Sequence, residues 1–165
     1  MRIASWNVES IRAHHDQVIA WLDANEIDVA CLQETRCPQV KFPASEFTRR
    51  GYELVLHGGE GGTGGVAVAS RLPIDDAVCG IPGSVAPLNE PRSISLTAGG
   101  MRLHTCYAPN GRKVGTRHHE IKLAWFALFK AWLEIDGQQH PERLVVGDFN
   151  IAPLDIDVWL SLIHI

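Results

Sequence analysis

"LVVGDFNIAP", residues 144–153, is an apolar run that closes on Gly147, Asp148 and Asn150. Its beginning reads as a buried strand, and its polar end reads as the place where that strand delivers side chains to a ligand. Successive side chains of a strand alternate faces, so Asp148 and Asn150 are expected to project together while Phe149 turns away. An acid and an amide aimed the same way suit one polar ligand. The competing reading is local: Asx side chains bond nearby backbone amides, and "NIAP" has the composition of a turn.

Composition limits the classes open to the chain. Its 165 residues are 45% hydrophobic and 21% charged, enough to build one packed core rather than a disordered segment. No apolar run approaches the roughly 20 residues that a membrane span needs. The opening "MRIASWNVES" lacks the apolar stretch of a secretion signal, so a soluble cytoplasmic protein is expected. Cys31, Cys37, Cys79 and Cys106 contain no CxxC pair and read as reduced, mostly packed thiols rather than a zinc site or disulfide framework. A net charge of -4 argues against a broad basic surface, leaving only a local basic rim for any nucleic-acid partner.

Hydrophobic periodicity divides the chain into two strand-helix-strand units with strands between them. "RIASW" (2–6) and "IDVACLQ" (27–33) read as strands around a helix over about 14–25 that carries Val18, Trp21 and Leu22. "MRLHTCY" (101–107) and "RLVVGD" (143–148) flank a helix over 117–134, with Ile121, Ala124, Trp125, Leu128, Phe129 and Trp132 on one face. In such units the two strands run parallel and ligand groups gather at their carboxyl ends, where Asn7, Glu34, Tyr107 and Asp148 stand. "ASWN" and "GDFN" share an aromatic-Asn ending, a short echo between the two units. "YELVLH", "GGVAVAS", "IDDAVCG" and "RSISLTA" read as antiparallel strands joined by Gly and Pro turns, which makes the sheet structure mixed. "GEGGTG" (59–64) matches GxGxxG but leads into the strand "VAVAS", whereas a pyrophosphate site needs a helix N-terminus; it reads as a hairpin connection. GxSxG, Walker and HExxH motifs are absent.

"ASWNVESIR", "CLQETR", "GGVAVASR", "YAPNGR" with "KLAWF" after it, and "GDFNIAPLDIDVW" resemble, in order and spacing, the exonuclease III family of apurinic/apyrimidinic endonucleases, within the endonuclease/exonuclease/phosphatase superfamily. The resemblance implies a two-sheet α/β sandwich, here its N-terminal portion. It implies a Mg²⁺-dependent nuclease, with Mn²⁺ as a substitute, acting as a monomer on double-stranded DNA at abasic sites or damaged 3′ ends, in the bacterial cytoplasm or nucleoid. Asn7, Glu34, Asp148 and Asn150 are the implied metal and water ligands, and Tyr107, Asp148 and Asn150 the implied catalytic groups. Asp148 would deprotonate the attacking water, Asn150 would hold that water or a phosphate oxygen, and Tyr107 would donate to the phosphate. Mg²⁺ takes only one or two carboxylates from a protein, which suits Glu34.

Some residues depart from the family pattern. Glu9 stands where the family often has Asp or Asn. The family's further Asp and its terminal Asp-His pair have no counterpart here, and His164 lacks the preceding Asp. Residues 1–159 are therefore expected to be part of one nuclease domain and 160–165 a tail outside the pattern, with residues 1–165 inactive by themselves. Strand 143–148 is then expected to show an unpaired edge or an exposed apolar face. The alternative within the superfamily is a phosphodiesterase acting on RNA or a phosphoinositide.

Local readings stand beside these. Alone, Glu34 is a solvated turn residue, Asn7 an Asx turn and Tyr107 a core aromatic; the ordered motif set favours the site. His14, His15, His118 and His119 are adjacent pairs without metal-ligand spacing. Arg112, Lys113, Arg117 and Lys122 are either a DNA-backbone contact or an ordinary charged helix start. Trp125, Phe129 and Trp132 are expected in the core.

Overall fold

The computed structural model describes residues 1–59 and 62–157. In chain order the elements are β1 (Ile3–Asn7), α1 (His15–Asn25), β2 (Val29–Gln33), a 3₁₀ turn (Gln39–Lys41), α2 (Ala44–Thr48), β3 (Glu53–His57), β4 (Val66–Ser70), β5 (Ile74–Cys79), β6 (Ser93–Ala98), β7 (Met101–Tyr107), α3 (Arg117–Asp136), β8 (Arg143–Asp148) and a 3₁₀ turn (Asp155–Asp157). The strands form two four-stranded mixed sheets ordered β1-β2-β4-β3 and β5-β6-β7-β8. The pairs β1/β2 and β7/β8 are parallel and the remaining pairs antiparallel. The expected two-sheet α/β sandwich is what the chain adopts. Short α2 was not anticipated, because five residues hold too little periodicity to register.

Strand parity distributes the core. Val29, Cys31, Val66 and Val68 of the first sheet meet Ile94, Leu96, Ala98 and Leu103 of the second between the sheets. Their alternates Ala30, Leu32, Ala67 and Ala69 face outward against Val18, Ile19 and Leu22 of α1 and against Phe47. β2 and β4 are consequently buried at every position, which is why they read as continuous apolar runs. On the other side, Trp125 and Phe129 of α3 stack with ring centroids 4.9 Å apart and cover Cys106 and Ala108. Ala124, placed on that face by periodicity, is exposed, and Trp21 stays at the rim with its ring edge-on to Trp6, centroids 5.4 Å apart. β8 pairs only with β7 among the described residues, and its Leu144 is exposed, so strand 143–148 has the unpaired edge expected of it. Among the described residues no helix is long and apolar enough to cross a membrane.

A buried polar network fastens α3 to its sheet. Arg102 donates from Nε to Asp136 Oδ2 at 2.9 Å and from Nη2 to Oδ1 at 2.6 Å. His104 Nε2 faces Asp136 Oδ2 at 3.3 Å, and its Nδ1 lies 2.8 Å from Ser95 Oγ, which also accepts from Trp132 Nε1 at 2.9 Å. The order Ser95, His104, Asp136 imitates a hydrolytic triad, but all three are buried, Trp132 occupies the serine and Arg102 the aspartate. It is a structural tie. Burial pulls the His104 imidazole down to about 4, with Asp136 opposing the shift, so the ring is neutral in the fold.

Breaking a buried ion pair strands the partner charge, so Asp136→Ala should lose about 3–5 kcal/mol in urea melts, whereas the apolar double replacement Arg102→Met with Asp136→Leu should stay far closer to wild type. The unfolded chain protonates His104 near 6.5 and the folded chain only near 4, so stability should fall as pH drops from 6.5 toward 4. His104→Gln should flatten that slope in melts recorded across the same window.

Candidate active site

The parity that builds the core also delivers the polar residues. Ile3 of β1 and Val146 of β8 pack between the sheets, so Asn7 and Asp148, each an even number of residues on, point into the same space, as does Tyr107 after Leu103. Parallel register aligns the strand ends, pairing Asn7 with Gln33 and Tyr107 with Asp148. Beneath them the core turns polar: Gln33 Nε2 donates to Thr105 Oγ1 at 3.1 Å across the two sheets and to Ser5 Oγ at 3.2 Å. Gly147 permits the close approach of β8, since a Cβ there would fall 2.1 Å from the Cys106 carbonyl oxygen.

Immediately past the strands the backbone turns left-handed. Glu9, Ser10, Glu34, Arg36, Arg112 and Asn150 all have φ between 45° and 100°, although none is glycine. Strain of this kind persists only where surroundings hold it. Here Ser10 N donates to Glu34 O at 2.8 Å, Thr35 N to Gly65 O at 3.1 Å and Arg36 N to Gly64 O at 2.9 Å. The end of "GEGGTG" is thus a backbone wall behind Glu34, followed by β4 rather than a helix, as expected of a hairpin connection. Gly65 has φ 89°, and a Cβ on it would meet Thr35 Oγ1 at 2.4 Å.

One amide joins the two carboxylates. Asn7 Nδ2 donates to Glu34 Oε1 at 2.9 Å and to Asp148 Oδ2 at 2.8 Å. Its Oδ1 accepts from Glu9 N at 3.0 Å, and because a backbone N–H can only donate, this contact fixes which way the amide faces. Glu34 Oε2 accepts from Arg36 Nε at 2.8 Å and from Arg36 Nη2. Burial pushes the Glu34 carboxyl up, but hydrogen bonds from Asn7, Arg36 and Tyr107 outweigh it and hold the group below the usual glutamate value. Burial, followed by the bond to Glu34 and its charge, pushes the Tyr107 phenol up to about 12, so it remains a proton donor. Arg92 lies over the Tyr107 ring, 5.0 Å from its centroid.

Asn7, Glu34, Tyr107 and Asp148 come together as the sequence suggested. Asn150 does so differently. β8 ends at Asp148 and Asn150 has φ 52°, so the strand alternation that was to send both side chains the same way does not reach it. Its backbone N–H donates to Asp148 Oδ1 at 2.9 Å, the Asx-turn arrangement, while its side chain donates to Ala108 O at 2.9 Å and accepts from Asn110 Nδ2 at 3.2 Å. Lys122 Nζ donates to Asn150 O at 2.6 Å, so its charge braces the turn. Glu9 is largely exposed and reaches Arg36 Nη1 at 3.6 Å. Arg36 and Arg92 carry no signal of a role in the sequence, because a pairing partner's identity is invisible until the fold brings it near. A cleft of about 300 Å³ opens beside the cluster, lined by Tyr107, Asn110, Arg112, Arg92 and His118 among others.

The donor chemistry limits what the cluster can hold. None of its hydrogen bonds involves a histidine or a thiol, and His164 lies outside the described residues. Among the described residues no group of three or more His, Cys, Asp or Glu is arranged as a metal cage. Two carboxylates with amide and phenol neighbours fit a hard cation that retains water ligands, and do not fit zinc. The Glu34 titration tests this geometry. Followed by carboxyl ¹³C NMR, its midpoint should lie below the ordinary glutamate value and rise in Asn7→Ala, where burial acts with one donor fewer.

Comparison with known proteins places the chain in a family. Residues 4–164 match the Endonuclease/Exonuclease/phosphatase family. An AP endonuclease structure from Archaeoglobus fulgidus superimposes with TM-score 0.87 at 35% identity, over 96% of this chain and 61% of that one. The 3′ phosphatase NExo from Neisseria, bound to a product DNA hairpin, does so with TM-score 0.88 at 32% identity, over 94% of this chain and 60% of that one. Exodeoxyribonuclease III of Haemophilus influenzae is 27% identical over 98% of this chain and 61% of its own length. The chain thus spans about three-fifths of the length of these proteins. By the extent of the family match and by its two-sheet fold, the chain belongs to the endonuclease/exonuclease/phosphatase family, and within it is similar to exonuclease III and AP endonucleases.

Proposed function

We propose that this chain carries the phosphodiester-binding half-site of a Mg²⁺-dependent DNA repair nuclease, with Mn²⁺ able to substitute. The reaction is incision beside abasic sites and 3′ to 5′ trimming of double-stranded DNA, performed by a monomer in the compartment that holds the chromosome. The observation that carries this reading is the Asn7 bridge, which sets the Glu34 and Asp148 carboxylates and the protonated Tyr107 phenol at one end of the sandwich. The names of its relatives supply the substrate class: an AP endonuclease, an exodeoxyribonuclease and an enzyme bound to a DNA hairpin.

Glu34, with Asn7 alongside it, would hold the cation, which when bound neutralises charge developing on the phosphoryl oxygens. Asp148 orients a water and takes its proton as the water oxygen bonds to phosphorus; the P–O3′ bond breaks and the 3′ oxygen departs, taking a proton from solvent water. The Asn150 N–H keeps the Asp148 carboxylate in place for this step. Tyr107 donates to a non-bridging phosphate oxygen and, with a proton affinity far above neutral, does not itself act as a base. Arg112, Lys113 and Arg117, exposed at the start of α3, are positioned for duplex phosphates. Among the described residues no histidine bonds the cluster, and residues 1–165 by themselves are expected to bind without appreciable turnover.

The test is cleavage of a duplex carrying one abasic site, by the longest reading frame that contains residues 1–165 and by residues 1–165 alone. The former should incise, stop on chelation of the cation, and lose roughly 10²–10⁴-fold in rate with Asp148→Asn. Rapid cleavage by residues 1–165 alone would refute the expectation of inactivity. Turnover confined to RNA or to a phosphoinositide would overturn the DNA reading.

A further inference from the structure

We propose that Arg36 is a positioning residue that sets which divalent cation the site accepts, by occupying one oxygen of Glu34 and leaving the other as a single-point ligand. The inference deepens the metal reading above and rests on it. Arg36 engages Glu34 Oε2 with two nitrogens, Nε at 2.8 Å and Nη2, while Asn7 takes only one bond at Oε1. A carboxylate oxygen has two lone-pair directions, so Oε2, with both Arg36 donors upon it, keeps none, and the one direction left on Oε1 beside Asn7 is where either the Tyr107 hydroxyl or a cation binds, the phenol turning to the phosphate when a cation takes it.

The arginine is held from two further sides. Its backbone N–H donates to Gly64 O at 2.9 Å, with φ at 48°, which fixes where the side chain departs. Glu9 Oε1 stands 3.6 Å from Nη1, the one terminal nitrogen that does not bond Glu34. The Glu34 side chain is only 14% exposed, so it has little room to swing away from this fork. A planar guanidinium forked onto a carboxylate defines orientation in a way that the point charge of lysine does not.

The consequence is discrimination between ions. Ca²⁺ takes six to eight oxygens at 2.3–2.6 Å and accepts bidentate carboxylates, whereas Mg²⁺ is smaller, octahedral and retains water. A glutamate with one free oxygen suits Mg²⁺ and withholds the bidentate mode from Ca²⁺. If Arg36 acted only as a nearby positive charge, its removal would strengthen both ions alike.

The experiment is calorimetric titration of residues 1–165 with MgCl₂ and with CaCl₂, with the Glu34 carboxyl ¹³C shift as a second readout. Thermal melts confirm that each variant is folded, which the partly exposed position of Arg36 favours. Arg36→Met should raise Ca²⁺ affinity relative to Mg²⁺ by roughly fivefold or more, through the bidentate mode it opens. Arg36→Lys should recover part of the discrimination, and Glu9→Gln should move the ratio in the same direction as Arg36→Met but less. An unchanged ratio in folded Arg36→Met, with Mg²⁺ still binding at Glu34, overturns the clamp and leaves the metal reading standing. Failure of wild type to bind either ion, or binding that Glu34→Gln leaves intact, overturns the metal reading and the clamp with it.

Discussion

Two carboxylates approach each other from different sheets, and an uncharged amide has to stand between them. Glu34 follows β2 and Asp148 ends β8, and Asn7 Nδ2 spends one hydrogen on each. An aspartate in place of Asn7 would set a third negative charge where the two existing ones need donors. The amide is useful only in one orientation, which the Glu9 N–H imposes through Asn7 Oδ1. The left-handed backbone at Glu9 and Ser10 follows directly after this contact, and there Ser10 N donates to Glu34 O at 2.8 Å, so the turn that orients the amide is also tied to the segment that carries Glu34.

The rest of the sandwich can be ordered by distance from that bridge. Farthest away the space between the sheets is filled by Val29, Val68, Leu96 and Leu103, and nearer it by Ser5, Gln33 and Thr105, whose side chains bond one another across the gap. Charge appears only at the last step, where solvent is close. This gradient keeps the desolvation of Glu34 moderate, so that three donors suffice to hold it ionised. The Arg102–Asp136 pair, by contrast, is fully enclosed, and both charges need the fork between them. Its position under β7 links the seating of α3 to the strand that carries Tyr107.

Strand positions and the two long helices were readable because each has one covered face with a regular period. β7 and β8 begin and end where the apolar pattern says, and β2 reads as unbroken apolar residues because both of its faces are covered. Three of the five residues named for the site, Asn7, Tyr107 and Asp148, meet for the same reason, since parity assigns them to the inner faces, whereas Glu34 lies past the end of β2 and is turned inward by its left-handed backbone, φ 52°. The period gives out at Asn150, where the chain has already left the strand, and the turn chemistry of "NIAP" decides instead. The Arg102, His104 and Asp136 network was unreadable for a different reason. A polar residue on a strand face that looks outward in sequence is solvated unless a helix covers it, and the sequence does not say which helix residue will carry the answering charge. Arg36 belongs to the same class: "CLQETR" displays the arginine, but its fork onto Glu34 depends on two left-handed residues that propensity alone argues against.

The bridge also sits where the sheets are least supported by their own ladders. Among the described residues β1 and β8 are the terminal strands of their sheets, each with a single hydrogen-bonded neighbour, and they lie against each other across the sandwich. Each sheet runs in the same sense from that side, a terminal strand, a parallel neighbour, then two antiparallel strands. The echo between "ASWN" and "GDFN" therefore falls at the ends of strands that are counterparts in space, although β1 opens its strand-helix-strand unit and β8 closes the other. A plain repeat would have put the matching residues on the opening strand of both units. The matched asparagines are not equivalent in space: Asn7 is the last residue of β1 and reaches across, whereas Asn150 lies past the end of β8, where Asp148 is the inward polar side chain. The Asn7–Asp148 hydrogen bond is the direct tie between those ends, doing for two sheet margins what a ladder partner does elsewhere, and this makes the functional cluster part of what holds the margins together.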